Sequence, residues 1–302
     1  MKCSIIIPYF NKSKFITFAL KSCKEQTYKN FEIIIVDDNS KIQEIDILNE
    51  ILNKFSDLDI KMISLNKNKG PSYCRNIGIK NSTGKILFFL DADDYWDKSK
   101  LNSHINIYKN KKEISAIYDN QFSVKNKKKF KINFKLHHNN FINFIIQGWG
   151  PPNLSSFSIK KEVIKKIGMF DKNLRYSEDQ DLFLRLDENN KIIFPLKKYL
   201  TYFCDNDPNR VSNNIVKRLE GNKLFQEKWK NKILKKISYR EYKKYIKNYE
   251  INIIYPVFLN KLKNYNFSFV LILLKYLILN KYFYLRIFQK TKNYFLKSKT
   301  SK

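Results

Sequence analysis

Glycine and proline occur only seven times each in 302 residues. That scarcity excludes a collagen-like repeat, a Gly/Ser linker string and a Pro-rich disordered chain. Cysteine occurs four times and histidine three times. Cys3, Cys23, Cys74 and Cys204 show no Cys-x-x-Cys spacing, and His104, His137 and His138 fall in no metal-ligand pattern. A zinc ribbon and a disulfide framework are thereby excluded, and free thiols in a reducing cytosol are expected. His137 and His138 read as part of a solvated loop. No Gly-x-Gly-x-x-Gly and no Gly-x-x-x-x-Gly-Lys is present, which disfavours a dinucleotide cofactor and a P-loop nucleotide. Ile5-Ile6-Ile7 is too short for a signal peptide and is broken by Pro8 and Asn11, so the catalytic part is expected in the cytoplasm. Acid is also missing from one end: none follows Glu250, in a chain of formal net charge +30. A polarised positive charge implies an anionic partner surface such as lipid head groups, nucleic acid or a phosphorylated acceptor.

What is present is a sizeable core. Hydrophobic residues make up 43% and aromatics 15%, enough for one large domain or two small ones. Lys, Asn, Ile and Phe are abundant throughout, a compositional bias that discounts part of the lysine excess. The first hundred residues alternate. Strands are predicted over Ser4–Ile7, Glu32–Val36, Lys61–Leu65 and Lys85–Leu90, with helices over Lys14–Gln26, Ile45–Phe55 and Pro71–Lys80. Such alternation means βαβ units and a parallel sheet. Polar residues then fall just past successive strand ends: Pro8–Asn11, Asp37–Asp38, Asn66 and Asp91–Asp93. In open α/β sheets that edge is where ligands bind.

Beyond residue 100 the pattern weakens. Lys125–Lys131 reads as a solvated hairpin or loop, Ser155–Ile159 as a strand, and Lys161–Ile167 as a short helix closed by Gly168. Ser177 fits an N-cap for a helix running through Asp187, with acids suited to its first turn. Val216–Tyr249 is a lysine-rich helical region. Phe267–Leu285 is apolar enough to approach a membrane span. Lys275, Asn280 and Lys281 and the basic, aromatic flanks favour a helix lying in the interface over one that spans.

The most informative stretch is Ile86–Asp94. Five apolar residues read as a strand buried on both faces, and Asp91, Asp93 and Asp94 follow within four residues. Acids crowded at the end of a buried strand repel one another unless a cation sits among them. Asp-x-Asp at such a place suits Mg²⁺ or Mn²⁺ carrying a substrate phosphate; alone, the same residues could equally be a polar turn.

Four segments carry a family likeness. Ser4-Ile5-Ile6-Ile7-Pro8-Tyr9-Phe10-Asn11, Ile34-Ile35-Val36-Asp37-Asp38-Asn39-Ser40, Asn68–Gly78 and Leu90-Asp91-Ala92-Asp93-Asp94 occur in an order that resembles family 2 glycosyltransferases with the GT-A fold. Ile167-Gly168-Met169-Phe170-Asp171 and Glu178-Asp179-Gln180-Asp181-Leu182 are similar to that family's later motifs. The resemblance covers about residues 3–212. It implies an α/β domain over 1–212, with a Rossmann-like, mostly parallel sheet flanked by helices. Residues 213–302 would form a helical, basic, membrane-associating extension. It also implies inverting transfer of a sugar from a nucleotide-diphosphate donor, UDP-linked, to a hydroxyl of a glycan or lipid-linked acceptor in cell-surface polysaccharide or lipooligosaccharide synthesis.

The resemblance assigns roles residue by residue. Asp93 would ligate Mn²⁺ or Mg²⁺, and Asp91 would sit by the ribose or the metal, with Asp94 a further candidate. Asp38, or Asp37, would read the base. Pro8 and Asn11 would shape the same wall. Arg75 would lie near the base or diphosphate; by itself it could be a helix-surface residue. Asp179 would be the general base, and Glu178 would orient acceptor or metal. For Glu178 and Asp181, first-turn helix capping is a sufficient structural role. Trp149 could serve as a sugar platform or as a core residue. Where many relatives carry a His, in the segment 202–212, this chain has none; Asp205 or Asp207 could substitute, or the metal shell could be looser. The expected place is the inner face of the cytoplasmic membrane, with an anionic lipid surface and no nucleic acid as partner. Two alternatives stand beside this reading. One is a nucleotidyltransferase, which would want a Gly-rich phosphate loop where Pro8-Tyr9-Phe10-Asn11 stands. The other is a basic, non-catalytic membrane- or nucleic-acid-binding protein, which leaves the strand-end acids unexplained.

Overall fold

The computed structural model describes residues 1–134, 141–146, 150–174, 176–204 and 215–250. The first half follows the predicted alternation: β1 (Cys3–Tyr9), α1 (Ser13–Lys24), β2 (Phe31–Asp37), α2 (Ile42–Asn53), β3 (Ile60–Ser64), α3 (Pro71–Asn81) and β4 (Ile86–Phe89). Then come β5 (Tyr95–Trp96), α4 (Lys100–Asn110), the hairpin β6 (Ala116–Lys125) and β7 (Lys128–Ile132), and α5 (Phe141–Ile146). They are followed by β8 (Phe157–Lys160), α6 (Lys161–Lys166), α7 (Glu178–Glu188) and β9 (Ile193–Cys204). The chain divides into two compact units, with the main boundary after residue 213. The second unit is described over α8 (Ile215–Leu234) and a further helix at 239–250. No helix among the described residues is long and apolar enough to cross a membrane.

The described strands form one nine-stranded sheet in the order β3-β2-β1-β4-β8-β6-β9-β5, with β7 off this path and paired with β6. β3, β2, β1 and β4 run parallel, and β6 and β9 are parallel too, whereas β8, β5 and β7 join antiparallel. Alternate residues of β1 and β2 serve opposite faces, as the strand period requires. Ile5, Ile7, Ile33 and Ile35 pack with Ile16 and Leu20 of α1, Leu48 of α2 and Leu101 and Ile105 of α4. Ile34 and Val36 pack with Cys74 of α3 on the other side. Both faces are thus covered, which explains the uninterrupted Ile-rich runs. Each fully buried Ile or Phe contributes about 1.5–3 kcal/mol.

Local chemistry sets the connections. Pro8 has no N–H, yet it sits in an interior strand. β4 pairs with β1 only as far as Ile6, so the missing donor costs no ladder bond on that side. A Cβ on Gly78 of α3 would lie 2.4 Å from Ile6 Cγ2, so glycine is what lets α3 approach β1. The basic run Lys125–Lys131 is the β6–β7 hairpin, turned at Asn126 and Lys127 with φ of 49° and 64°, the two-residue geometry that matches strand twist. Gly168, at φ 94°, follows α6 and returns its N–H to the Lys165 carbonyl at 3.2 Å. The expectation for Ser177 needs correction. It stands at the N-cap of α7, but in the left-handed region at φ 62°, where its side chain makes no capping hydrogen bond. An N-cap serine that caps through its hydroxyl sits in extended backbone.

Candidate active site

The C-terminal ends of β1, β2 and β4 lie side by side, and their loops carry most of the expected residues. At β1, Asn11 turns the chain with φ 49°. Its N–H donates to Ser40 Oγ at 2.9 Å, and its Oδ1 accepts from Lys41 N–H at 3.0 Å, at the start of α2. Glu44 of α2 reaches back and accepts the Ser13 N–H at 3.1 Å, seating the N-terminus of α1. At β2, Asp37 accepts from Ser40 N–H at 3.1 Å, and burial raises its pKa. Asp38 is buried and accepts two backbone N–H groups, Lys69 at 2.6 Å and Gly70 at 2.8 Å. Asp38 therefore holds the loop that leads into α3. Asn66 lies just past the end of β3, as expected, and Asn68 supplies a side-chain bond to this loop, donating to the Asp38 carbonyl at 3.2 Å.

At β4 the three acids separate by environment. Asp94 is fully buried. Its Oδ2 accepts from Ser155 Oγ at 2.6 Å and its Oδ1 from Cys204 N–H at 3.1 Å. Asp94 is a structural clasp between the motif, β9 and the turn before β8. The same Ser155 hydroxyl accepts the Asp91 N–H at 3.1 Å. Asp91 and Asp93 stay partly open, with side chains 28% and 9% exposed. Each holds a cationic side chain: Arg75 Nη2 lies 2.7 Å from Asp91 Oδ1, and Lys12 Nζ lies 3.0 Å from Asp93 Oδ2.

Arg75 is not a helix-surface residue; it is buried at 3% exposure. Its second arm, Nη1, donates to Glu178 Oε1 at 2.9 Å, and its guanidinium lies 5.6 Å from the centre of the Phe170 ring. Its buried Nε finds no hydrogen-bond partner among the described residues. One guanidinium thus ties the strand-end acid Asp91 to the N-terminus of α7. Burial raises the Glu178 carboxyl while Arg75 opposes the rise. Asp179 is pushed up to about 7, by burial first and by the charge of Glu178 second. Asp181 faces elsewhere: it is fully buried and accepts from Arg185 Nε at 2.9 Å.

Asp91 and Asp93 offer the hard oxygen donors that a divalent cation takes, and the ammonium of Lys12 at Asp93 marks a cation-favouring position. Among the described residues no three His, Cys, Asp or Glu side chains gather to hold a metal by themselves. The pair fits the pattern in which one or two carboxylates and substrate phosphates share the ion. Trp149, Asp205, Asp207, His137, His138 and Phe267–Leu285 lie outside the described residues.

The sequence reading missed Lys12, Glu44 and Ser155. Lys12 had a signal, since it directly follows Asn11 in an acid-lined loop. Ser155 had none, because its role depends on β8 docking beside β4. Also missed was a buried cluster beneath the motif. Lys100 and His104 both meet Asp119 Oδ2, Thr201 Oγ1 donates to Asp119 Oδ1 at 2.8 Å, and Lys100 Nζ donates to the Ser155 carbonyl at 3.2 Å. All four side chains are fully buried. Burial, then the Lys100 charge, lowers the pKa of His104 to about 4, so the imidazole is neutral.

Comparison with known proteins identifies the family. The glycosyl transferase family 2 model matches residues 4–167. The chain is 28% identical over 198 residues to the amylovoran biosynthesis glycosyltransferase AmsB of Erwinia amylovora, covering 61% of this chain and 64% of that one. It is 39% identical over 109 residues to WfaP of Escherichia coli, a UDP-Glc:α-D-GlcNAc-diphosphoundecaprenol β-1,3-glucosyltransferase, covering 36% of this chain and 42% of that one. Both matches span less than two thirds of those relatives' own length. Residues 1–349 of Staphylococcus aureus TarS, solved with UDP-GlcNAc, share the fold at a TM-score of 0.63 and 22% identity, covering 82% of this chain and 71% of that one. With the family model matching more than half of the chain and the fold shared with TarS, the chain belongs to glycosyltransferase family 2 and has the GT-A fold.

Proposed function

We propose that this protein transfers a sugar from a nucleotide-diphosphate donor, UDP-linked, to a hydroxyl of a glycan or lipid-linked acceptor in surface-polysaccharide synthesis, with inversion at the anomeric carbon. The observation that carries the reading is Arg75 bonded to both Asp91 and Glu178. That bridge puts the donor-side acid and the α7 acids in one electrostatic cluster.

In the step, the acceptor oxygen attacks the anomeric carbon and the bond from that carbon to the donor diphosphate breaks. The bonding pair leaves on the diphosphate oxygen. Asp179 accepts the acceptor's hydroxyl proton. A base whose pKa sits near the working pH combines adequate basicity with a populated carboxylate, and burial beside Glu178 has moved Asp179 into that range. Arg75 is a fixed positive charge beside both acids. Asp38 and Asn11 hold the loops that wall the donor side. Asp91 and Asp93 would hold Mn²⁺ or Mg²⁺, which when bound supplies neutralising charge to the leaving diphosphate. WfaP acts on a lipid-linked sugar according to its name. That supports a lipid-linked acceptor and a place at the inner face of the cytoplasmic membrane. There the basic residues 251–302 would meet anionic lipid, while residues 1–212 would carry out catalysis.

The test is a panel of UDP-, GDP- and dTDP-sugars with Mn²⁺ or Mg²⁺, read by nucleotide release and by proton NMR of the freed sugar. A UDP-sugar should be turned over with inversion. If no nucleotide sugar is hydrolysed or bound with either ion, the reading fails; product with retained configuration would remove Asp179 from the role of base.

A further inference from the structure

From the row of side chains that crosses β5, β9, β6 and β7, we infer a second ligand site: a platform for an extended glycan that carries negative charge. The inference rests on the proposed glycan acceptor and names its chemical class. Tyr95 is registered against Tyr202, Tyr202 against Phe122, and Phe122 against Lys131. Registered neighbours point to the same face of a sheet. The rings follow one another at 4.6 Å and 6° (Tyr95 to Tyr202), 5.2 Å and 17° (Tyr202 to Phe122), and 5.0 Å and 35° (Phe122 to Tyr199). The opposite face of the same strands is dry: Trp96, registered against Thr201, is buried with it over the Lys100–Asp119 cluster.

The row is unlike ordinary core packing in two ways. Its four rings are only half-buried. Two exposed lysines also lean over it, with Lys129 Nζ 4.7 Å from the Tyr202 ring centre and Lys131 Nζ 5.1 Å from that of Tyr199. Lysines on an edge strand discourage strand-to-strand aggregation, but that task does not require them to lie on a file of rings. Flat aromatic faces take the C–H faces of sugars, and ammonium groups poised above them meet phosphate or carboxylate on the same chain.

The platform also leads to the reacting centre. Tyr95 directly follows Asp94, and Asp94 accepts the Cys204 N–H of β9 at 3.1 Å. A glycan lying along the rings therefore ends beside the loop that carries Asp91 and Asp93. Charge complementarity commits the occupant to an anionic sugar polymer.

The test uses the full chain and four probes by calorimetry: oligogalacturonate, its methyl ester, inorganic polyphosphate, and phosphatidylglycerol vesicles. The comparisons are wild type, Lys129→Glu/Lys131→Glu, Tyr202→Leu and Tyr202→Phe. Oligogalacturonate should bind, and both the methyl ester and the double lysine variant should lose about tenfold or more, equivalent to about 1.4 kcal/mol. Tyr202→Phe should bind as wild type and Tyr202→Leu should not. Polyphosphate separates phosphate from carboxylate recognition; it should depend on the lysines and bind less tightly than the sugar polymer. Lys129 and Lys131 are exposed, so the lysine variant keeps the test decisive if Tyr202→Leu fails to fold. Equal affinity for the methyl ester, or unchanged binding in the lysine variant, overturns the platform. Loss of vesicle binding with sugar binding intact would make the face a membrane contact and also overturn it. Donor hydrolysis is measured on the same samples. Variants that hydrolyse donor but lose the oligosaccharide support the site, whereas a wild type with no donor hydrolysis faults the proposed reaction instead.

Discussion

Lys12 Nζ lies 3.0 Å from Asp93 Oδ2, joining the loop after β1 to the loop after β4. The pair is mostly shielded, with side chains 16% and 9% exposed. It sets an ammonium against the carboxylate that the motif would otherwise offer to a divalent ion. The two cations then compete for one site. Lys12→Met removes the competitor without adding charge, and Mn²⁺ affinity of the donor-free protein should rise by up to about fivefold, the span of a partly screened ion pair. Asp93→Asn should abolish that binding. Calorimetric titration with Mn²⁺ reads both; weaker metal binding in Lys12→Met would show that the lysine supports the ion site instead of blocking it.

Asp179 predicts a pH profile. With its pKa near 7, turnover should rise as pH climbs through neutrality and level off above it, because the base form is the carboxylate. Asp179→Asn should lower turnover by roughly two to four orders of magnitude and flatten that limb, while donor affinity stays near wild type. Stability should move the other way. The folded carboxyl holds its proton more tightly than the unfolded one, so stability declines as pH rises from the ordinary carboxylate range toward about 7. The Asn variant should escape this decline and melt higher than wild type at pH 8. A variant melting curve with the same pH dependence as wild type would place the shifted group elsewhere.

The parallel half-sheet was legible because its signals are local. Ile5-Ile6-Ile7, Ile33-Ile34-Ile35-Val36 and Leu87-Phe88-Phe89 are runs that only a doubly covered strand explains, and Pro71 marks a helix start. The acids at the strand ends came with those strands. What was not legible depends on distant segments. Nothing near Arg75 in sequence shows that Glu178 will lie against it, and nothing near Asp94 announces Ser155 and Cys204. Without such partners three adjacent acids look alike; with them Asp94 is a clasp, while Asp91 and Asp93 face cations. Ser177 shows the converse limit. Residue type and position suggested capping, and its left-handed backbone denied it.

Arg75 should be irreplaceable by lysine. Its two arms hold Asp91 and Glu178 at 2.7 and 2.9 Å, and a single ammonium lacks the planar fork needed to serve both. Arg75→Met leaves the carboxylates beside each other without a counter-charge and should destabilise the fold by about 3–5 kcal/mol. Arg75→Lys should fold with a smaller loss but bind donor weakly. Thermal melts with and without UDP resolve the two effects. Full donor-induced stabilisation in Arg75→Lys would reduce the arginine to a structural tie.

The buried cluster under the motif makes the last prediction. Lys100 and Asp119 are fully buried and joined, with the neutral His104 and Thr201 completing the carboxylate's shell. Removing one member strands a charge, so Lys100→Met and Asp119→Leu should each destabilise by about 3–5 kcal/mol. Together they leave no unpaired charge, and the double variant should lose much less than the two losses added. Function separates support of the site from mere stability. Lys100 donates to the Ser155 carbonyl, and the Ser155 hydroxyl holds both the Asp91 N–H and Asp94. The double variant, folded and near normal in stability, should therefore still bind donor and metal more weakly than wild type. Denaturant titration gives the double-mutant cycle, and calorimetry gives the affinities. Strict additivity would show that the two residues do not act as a pair. Wild-type affinity in the stable double variant would show that the strand-end acids are held without them.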